Sequence, residues 1–164
     1  MFNVYYPKDP TTPPQVNAHG GLVVIDKEHL YLLIEKKKVR DFGGKTERCD
    51  ANVFQTACRE FREESNIPAA EYTSFSYGNV LFYTIMRKND SPHQYYTFYY
   101  CDLRLSDILN STTLCKVMKL KYQDMWRVTL PANTSYKFCH RMNNGSGKSL
   151  NQKVFTALAN TRLF

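Results

Sequence analysis

Glu60, Glu63 and Glu64 stand at i, i+3 and i+4, a short distance after the pair Gly43-Gly44. On a helix of about 3.6 residues per turn, these three side chains share one arc of roughly 100°. Carboxylates that close repel one another unless a cation sits among them. Hard divalent ions such as Mg²⁺ take oxygen ligands of this kind, usually one or two carboxylates together with substrate phosphates and water. The chemistry open to the stretch Asp41 to Ile67 is therefore cation-assisted work on a phosphorylated substrate, provided that a glycine turn leads into a helix.

The helix is written in the residues around the glutamates. Val53, Phe54, Ala57 and Phe61 form an apolar face beside the acidic arc, Asp50 is placed to cap the start, and Pro68 stops the chain from continuing. Ala51 to Ser65 is predicted as a helix. Ahead of it, Asn17 to Ile25 and Leu30 to Ile34 are rich in Val, Ile, Leu and Tyr and flank the polar turn Asp26-Lys27-Glu28, which reads as a β-hairpin. Gly20 and Gly21 inside the first strand mark a bulge or a close backbone approach. The basic run Lys36, Lys37, Lys38 and Arg40 follows; it is either a solvated loop or a set of charges facing phosphates held beside the glycine turn.

Further along, Tyr72 to Met86 and Gln94 to Leu103 are aromatic and β-branched, a second long hairpin. Its tyrosines, Tyr95 and Tyr96 among them, are expected mostly in the core or on a sheet face, although tyrosines beside a metal site can also stack on a base. Ser106 to Asn110 reads as a short helix, Leu114 to Val128 as at least one more strand, and Ser149 to Leu163 as a closing helix with Val154, Phe155, Leu158 and Ala159 at helical spacing. The order β-β-α-β-β-(α)-β-α points to a mixed or antiparallel sheet covered by helices, an α+β chain. Residues 1–16 contain Pro7, Pro10, Pro13 and Pro14 and are expected as an extended arm; residues 17–164 are expected as one domain.

Composition narrows the class. A chain of 164 residues with 43% hydrophobic content can bury one real core. No run of about 18 apolar residues and no basic-then-apolar start is present, so neither a membrane span nor a signal peptide is expected, and a cytoplasmic or nuclear setting is the default. Five scattered cysteines without a C-x-x-C pair argue against a disulfide framework or structural zinc. Residues 1–114 carry 13 Lys/Arg against 14 Asp/Glu, whereas residues 115–164 carry nine against Asp124 alone, a split of −1 and +8 that makes the net +7. Such asymmetry signals either an anionic partner, RNA among the candidates, or a basic face kept for solubility.

Taken together, Gly43 to Ile67 resembles the Nudix box. That pattern runs Gly, five residues, Glu, seven residues, then Arg-Glu-apolar-any-Glu-Glu-any-Gly-apolar. Here Gly44 is followed by five residues and Asp50, and then by Arg59-Glu60-Phe61-Arg62-Glu63-Glu64-Ser65-Asn66-Ile67. Three positions depart: Asp50 replaces a glutamate, eight residues rather than seven precede Arg59, and Asn66 replaces glycine. Asparagine tolerates the left-handed conformation that caps a helix. The extra residue is expected at the helix start and puts the role of Asp50 in question. Tyr122-Gln123-Asp124-Met125-Trp126 is similar to an acid-then-tryptophan strand that many members carry late in the domain.

The resemblance implies an α-β-α sandwich and a hydrolase of phosphoanhydrides dependent on Mg²⁺ or Mn²⁺. It implies Glu60, Glu63 and Glu64 as metal ligands, the Gly43 carbonyl as a further donor, and Arg59 paired with Glu47 to orient the loop. Glu60 and Glu64 are both candidates for the general base, as are Asp124 and Glu71 from outside the helix. Lys36, Lys38, Arg40, Lys45, Tyr95, Tyr96 and Asp124 are the expected substrate contacts. The basic final third ranks a capped RNA end or a dinucleoside polyphosphate above a nucleotide sugar. A diphosphoinositol polyphosphate and a noncanonical nucleoside triphosphate are the alternatives. From another class comes a catalytically silent domain that binds RNA or protein. Asn144 to Ser149 imitates a phosphate-binding loop, but Met142 stands where that motif needs glycine, so a linker is expected there.

Overall fold

A computed structural model of the chain describes residues 2–9, 11–16, 18–35, 38–68, 74–87, 92–113, 115–122, 135–136, 154 and 156–161. Its centre is β2 (His19–Ile25), whose residues from Gly20 onward are buried on both faces of the sheet. β2 pairs in antiparallel fashion with β3 (His29–Glu35) through Val24↔Tyr31 and Ile25↔Leu30. The turn between them is held by Asp26, whose Oδ1 accepts from the backbone N–H groups of Glu28 and His29 at 2.9 and 2.8 Å. This is the hairpin expected from the sequence.

The second hairpin is β6 (Val80–Arg87) and β7 (Gln94–Cys101), with β7 running parallel to β2 from His19↔Tyr95 to Ile25↔Cys101. Its first strand begins at Val80 rather than Tyr72, because Tyr77–Asn79 forms a 3-10 turn. β1 (Phe2–Tyr5) pairs with β6, so the start of the proline-rich segment is an edge strand, the sheet position that tolerates nearby prolines. β8 (Val117–Lys121) lies against β3. Short strands β4 (Lys38–Arg40), β5 (Phe42–Lys45) and β9 (Ser135–Tyr136) complete a nine-stranded mixed sheet. β4 and β5 lie outside the expected elements; of the basic run, read as either a solvated loop or phosphate-facing charges, Lys38 and Arg40 stand in β4, paired with β3.

Alternation along the strands sends side chains to two separate cores. Leu22, Val24, Leu33, Phe42, Phe98 and Tyr100 meet α1 (Val53–Ser65) and α2 (Leu103–Ser111) on one face. Val23, Ile25, Leu30, Leu32, Phe82 and Tyr99 meet Val154, Ala157 and Leu158 of a C-terminal helical segment on the other. The chain is thus an α-β-α sandwich with a mixed central sheet, the α+β arrangement expected. Cys49, Cys58, Cys101 and Cys115 are free thiols. No helix among the described residues is long and apolar enough to cross a membrane.

Candidate functional site

α1 is placed by one close approach: a Cβ on Gly20 would lie 2.5 Å from the Val53 carbonyl oxygen, so only glycine lets the helix start rest on β2. The N-cap is Asn52, whose side-chain oxygen accepts from the Gln55 N–H at 2.9 Å, and not Asp50. Residues 51–52 form a bend ahead of the first turn. At the far end Asn66 takes the left-handed conformation, φ 56° and ψ 19°, as the glycine replacement required.

Freed from capping, Asp50 holds Arg59. Arg59 donates from Nε to Asp50 Oδ1 at 2.9 Å and from Nη2 to Oδ2 at 3.0 Å, a forked pair, and from Nη2 to the Lys45 carbonyl at 3.0 Å. Asp50 also accepts from the Glu47 N–H and the Thr56 hydroxyl. Burial works against the Asp50 charge, yet these bonds outweigh it and hold the carboxyl below the usual range. Arg59 reaches Glu47 at 3.6 Å as well, so the expected partner is present but subordinate to Asp50. The guanidinium therefore locks loop 45–50 onto α1. Its remaining Nη1 lies 3.1 Å from both Glu60 and Glu63.

Arg40 reaches the same arc from β4. Its Nη1 donates to the Gly43 carbonyl at 3.1 Å, and its Nη2 pairs with both Glu64 and Glu35, the latter at 3.0 Å. Glu64 keeps only 11% of its side chain exposed, and its Oε1 is buried without a hydrogen-bond partner. Burial, with the nearby charges of Glu60 and Asp41, pushes the Glu64 carboxyl up to about 8 in spite of Arg40. Burial raises Glu60 too, against the pull of Arg59. The glycines expected as a turn are strand residues of β5, Gly43 and Gly44 pairing with Gly21 and Gly20 of β2, and the Glu60 carboxylate lies so close to them that a Cβ on Gly44 would stand 2.2 Å from its Oε1.

As they stand among the described residues, no three His, Cys, Asp or Glu side chains are grouped to hold a metal ion. The acidic arc is instead interleaved with two guanidinium groups. The donor chemistry nonetheless suits a hard divalent cation: Glu60, Glu63, Glu64 and the Gly43 carbonyl offer oxygen only, and the orphaned Glu64 Oε1 is a buried lone-pair site lacking a partner.

The other expected residues divide. Lys45 is exposed at the end of β5, on the loop that Arg59 secures. Tyr96 is 5% exposed and packs with Tyr83 and Phe98 in the core on the α1 side, which places it among core residues and not at an open surface. Tyr95 projects to the opposite face, its ring 4.8 Å from that of His19. Lys36, Glu71, Asp124 and Trp126 lie outside the described residues, as does the segment 144–149; Lys38 is described only as part of β4.

Two residues were missed. Asn52 is one of several polar residues before the helix, any of which caps on type alone. Asp41 is buried, its Oδ2 accepting from the Thr97 hydroxyl at 3.1 Å; burial raises its pKa, countered by His19 and by that bond. Its position between Arg40 and the glycines was the only available signal.

No protein-family model matches the chain, and no curated protein matches it. Among solved structures the chain is similar to a mutT/nudix family protein from Listeria innocua, with 13% identity, coverage of 90% of this chain and 96% of that one, and a TM-score of 0.44.

Proposed function

We propose that the protein is a metal-dependent pyrophosphohydrolase of the Nudix type, cleaving a diphosphate that links a nucleoside to another group. One observation carries the reading. The glycine pair of β5 is packed beneath the acidic face of α1, with the Glu60 carboxylate against Gly44 and with Arg40 shared between the Gly43 carbonyl and Glu64. The box-like spacing in the sequence thus becomes a single oxygen-lined corner.

In this reading Glu60, Glu63, Glu64 and the Gly43 carbonyl hold the cation. A bound Mg²⁺ or Mn²⁺ supplies neutralisation of the diphosphate oxygens and a lowered pKa for attacking water. Arg59, anchored by Asp50, keeps the end of β5 and the loop after it in register with the helix and touches no substrate. Glu60 and Glu64, both with carboxyls raised by burial, are the candidates within the helix for the general base. Lys45 and the basic residues after Cys115 provide the charge that favours a highly anionic substrate, a capped RNA end or a dinucleoside polyphosphate first and a diphosphoinositol polyphosphate or noncanonical triphosphate second.

A second reading has its own observation. Each glutamate of the arc already has an arginine partner, Glu60 and Glu63 with Arg59 and Glu64 with Arg40, as suits a silent module that binds anions without cutting them. A substrate panel separates the two. It contains capped RNA, dinucleoside polyphosphates, ADP-ribose, nucleoside triphosphates and a diphosphoinositol polyphosphate, each with Mg²⁺, Mn²⁺ or EDTA. Cleavage of at least one member at a diphosphate, abolished by EDTA, supports the hydrolase. Salt-dependent binding of RNA with no member cleaved under any condition selects the silent module instead.

A further inference from the structure

Arg40 occupies the two groups, the Gly43 carbonyl and Glu64, that the hydrolase reading assigns to the cation. We propose that Arg40 is an internal counter-cation that closes this corner in the cation-free protein and competes with the divalent ion for it. The inference rests on the hydrolase reading only in taking the corner as the cation site.

The geometry favours exchange over permanent pairing. A guanidinium presents donors in a fixed plane, and here its fork is spread over three acceptors at once: the Gly43 carbonyl, Glu35 and one oxygen of Glu64. The second oxygen of Glu64 stays buried and unbonded. Arginine therefore satisfies the corner incompletely, whereas a compact doubly charged ion between the same groups can draw on both carboxylate oxygens.

The strand register provides Arg40 with somewhere to go. Arg40 stands opposite Leu33 in the β3–β4 ladder, so it projects to the α1 face, and Glu35 lies two residues along on that same face. Glu35 keeps 44% of its side chain exposed. A guanidinium released by Glu64 can keep its bond to Glu35 at the solvent edge without crossing the sheet. Arg59 also touches the exposed carboxylates of Glu47 and Glu63, but its fork is closed on Asp50, whose side chain is 3% exposed, and that pairing holds it in place. Of the two arginines in the arc, only Arg40 is built to leave.

Two cations that cannot share one corner are linked reciprocally: whatever Arg40 gains from Glu64, the ion must overcome. Removing the competitor therefore tightens ion binding without any new ligand. The test is Mn²⁺ affinity, read by electron paramagnetic resonance of the free ion with no substrate present, for the wild type, Arg40→Gln, Arg40→Lys and Glu64→Gln. Arg40→Gln is expected to bind Mn²⁺ about 10-fold more tightly than the wild type. Arg40→Lys keeps a charge but cannot fork over several acceptors, so it should fall between the two; it decides the matter if the glutamine variant does not fold. Arg40 variants that bind equally to or more weakly than the wild type, while Glu64→Gln loses affinity, overturn the competition and leave the metal reading standing. Absence of Mn²⁺ binding by all four proteins overturns both together.

Discussion

Arg59 and Arg40 both neutralise glutamates of α1, Arg59 from within the helix and Arg40 from β4, and the contrast between them separates what holds the corner from what works in it. Arg59 is bonded to Asp50, the Lys45 carbonyl, Glu60 and Glu63, and the partner it holds most closely, Asp50, is bonded in turn to Thr56 and the Glu47 amide. Arg40 leaves an orphaned oxygen on Glu64 and shares itself with a solvent-edge carboxylate. A satisfied network rigidifies, whereas an unbonded buried oxygen such as Glu64 Oε1 leaves its corner less firmly held.

The largest effect that would break this contrast is the loss of Arg59. Arg59→Ala strands the nearly inaccessible Asp50 charge and frees loop 45–50, with an expected cost of about 3 kcal/mol. For a chain of this size that is roughly 6–12 °C in Tm. Thermal unfolding followed by circular dichroism measures it; a change of a degree or less would mean that Arg59 does not hold the loop.

A smaller, pH-dependent effect belongs to the Arg40 side. The Glu64 carboxyl is pushed up to about 8 from an ordinary 4.5, so between those values the folded protein keeps a proton that the unfolded chain has lost. Its contribution to stability must then decline as pH rises from about 4.5 through about 8, and level off above. Glu64→Gln removes the titration. Urea unfolding at pH 5 and pH 9 should show the variant gaining on the wild type at the higher pH; parallel behaviour of the two proteins would contradict the raised value. Smallest is Asn52→Ala, which removes the cap from α1 and should cost about 1 kcal/mol by the same unfolding assay. Asp50→Ala, by contrast, should behave like the Arg59 variant and not like a lost cap.

How far the sequence reaches follows from the range of the forces involved. The helix from residue 53 to 65, its acidic arc and its asparagine C-cap follow from spacing of a few residues, which periodicity records directly. Both hairpins follow from apolar, β-branched and aromatic runs over strands seven or eight residues long, which β2, β3 and β7 bury as near-continuous stretches. β4, with three residues, and β9, with two, carry too few side chains for any period to show, and depend on β3 and on each other for partners. Partner choice was likewise hidden. Whether Arg59 takes Glu47 or Asp50 depends on how loop 45–50 folds back, and the shared grip of Arg40 on Gly43 and Glu64 joins residues 24 apart in the chain. The carboxylates were legible; the arginines between them were a matter of tertiary structure.

In the proposed hydrolase, the corner under α1 acts through Glu64 on a diphosphate. This role is tested most directly by single-turnover cleavage of the best panel substrate, with saturating Mg²⁺, by the wild type and Glu64→Gln. The account predicts Mg²⁺-dependent cleavage by the wild type and a rate at least about 100-fold lower in the folded variant, the scale set by losing one group that stabilises developing charge. Equal rates for the two proteins would contradict it.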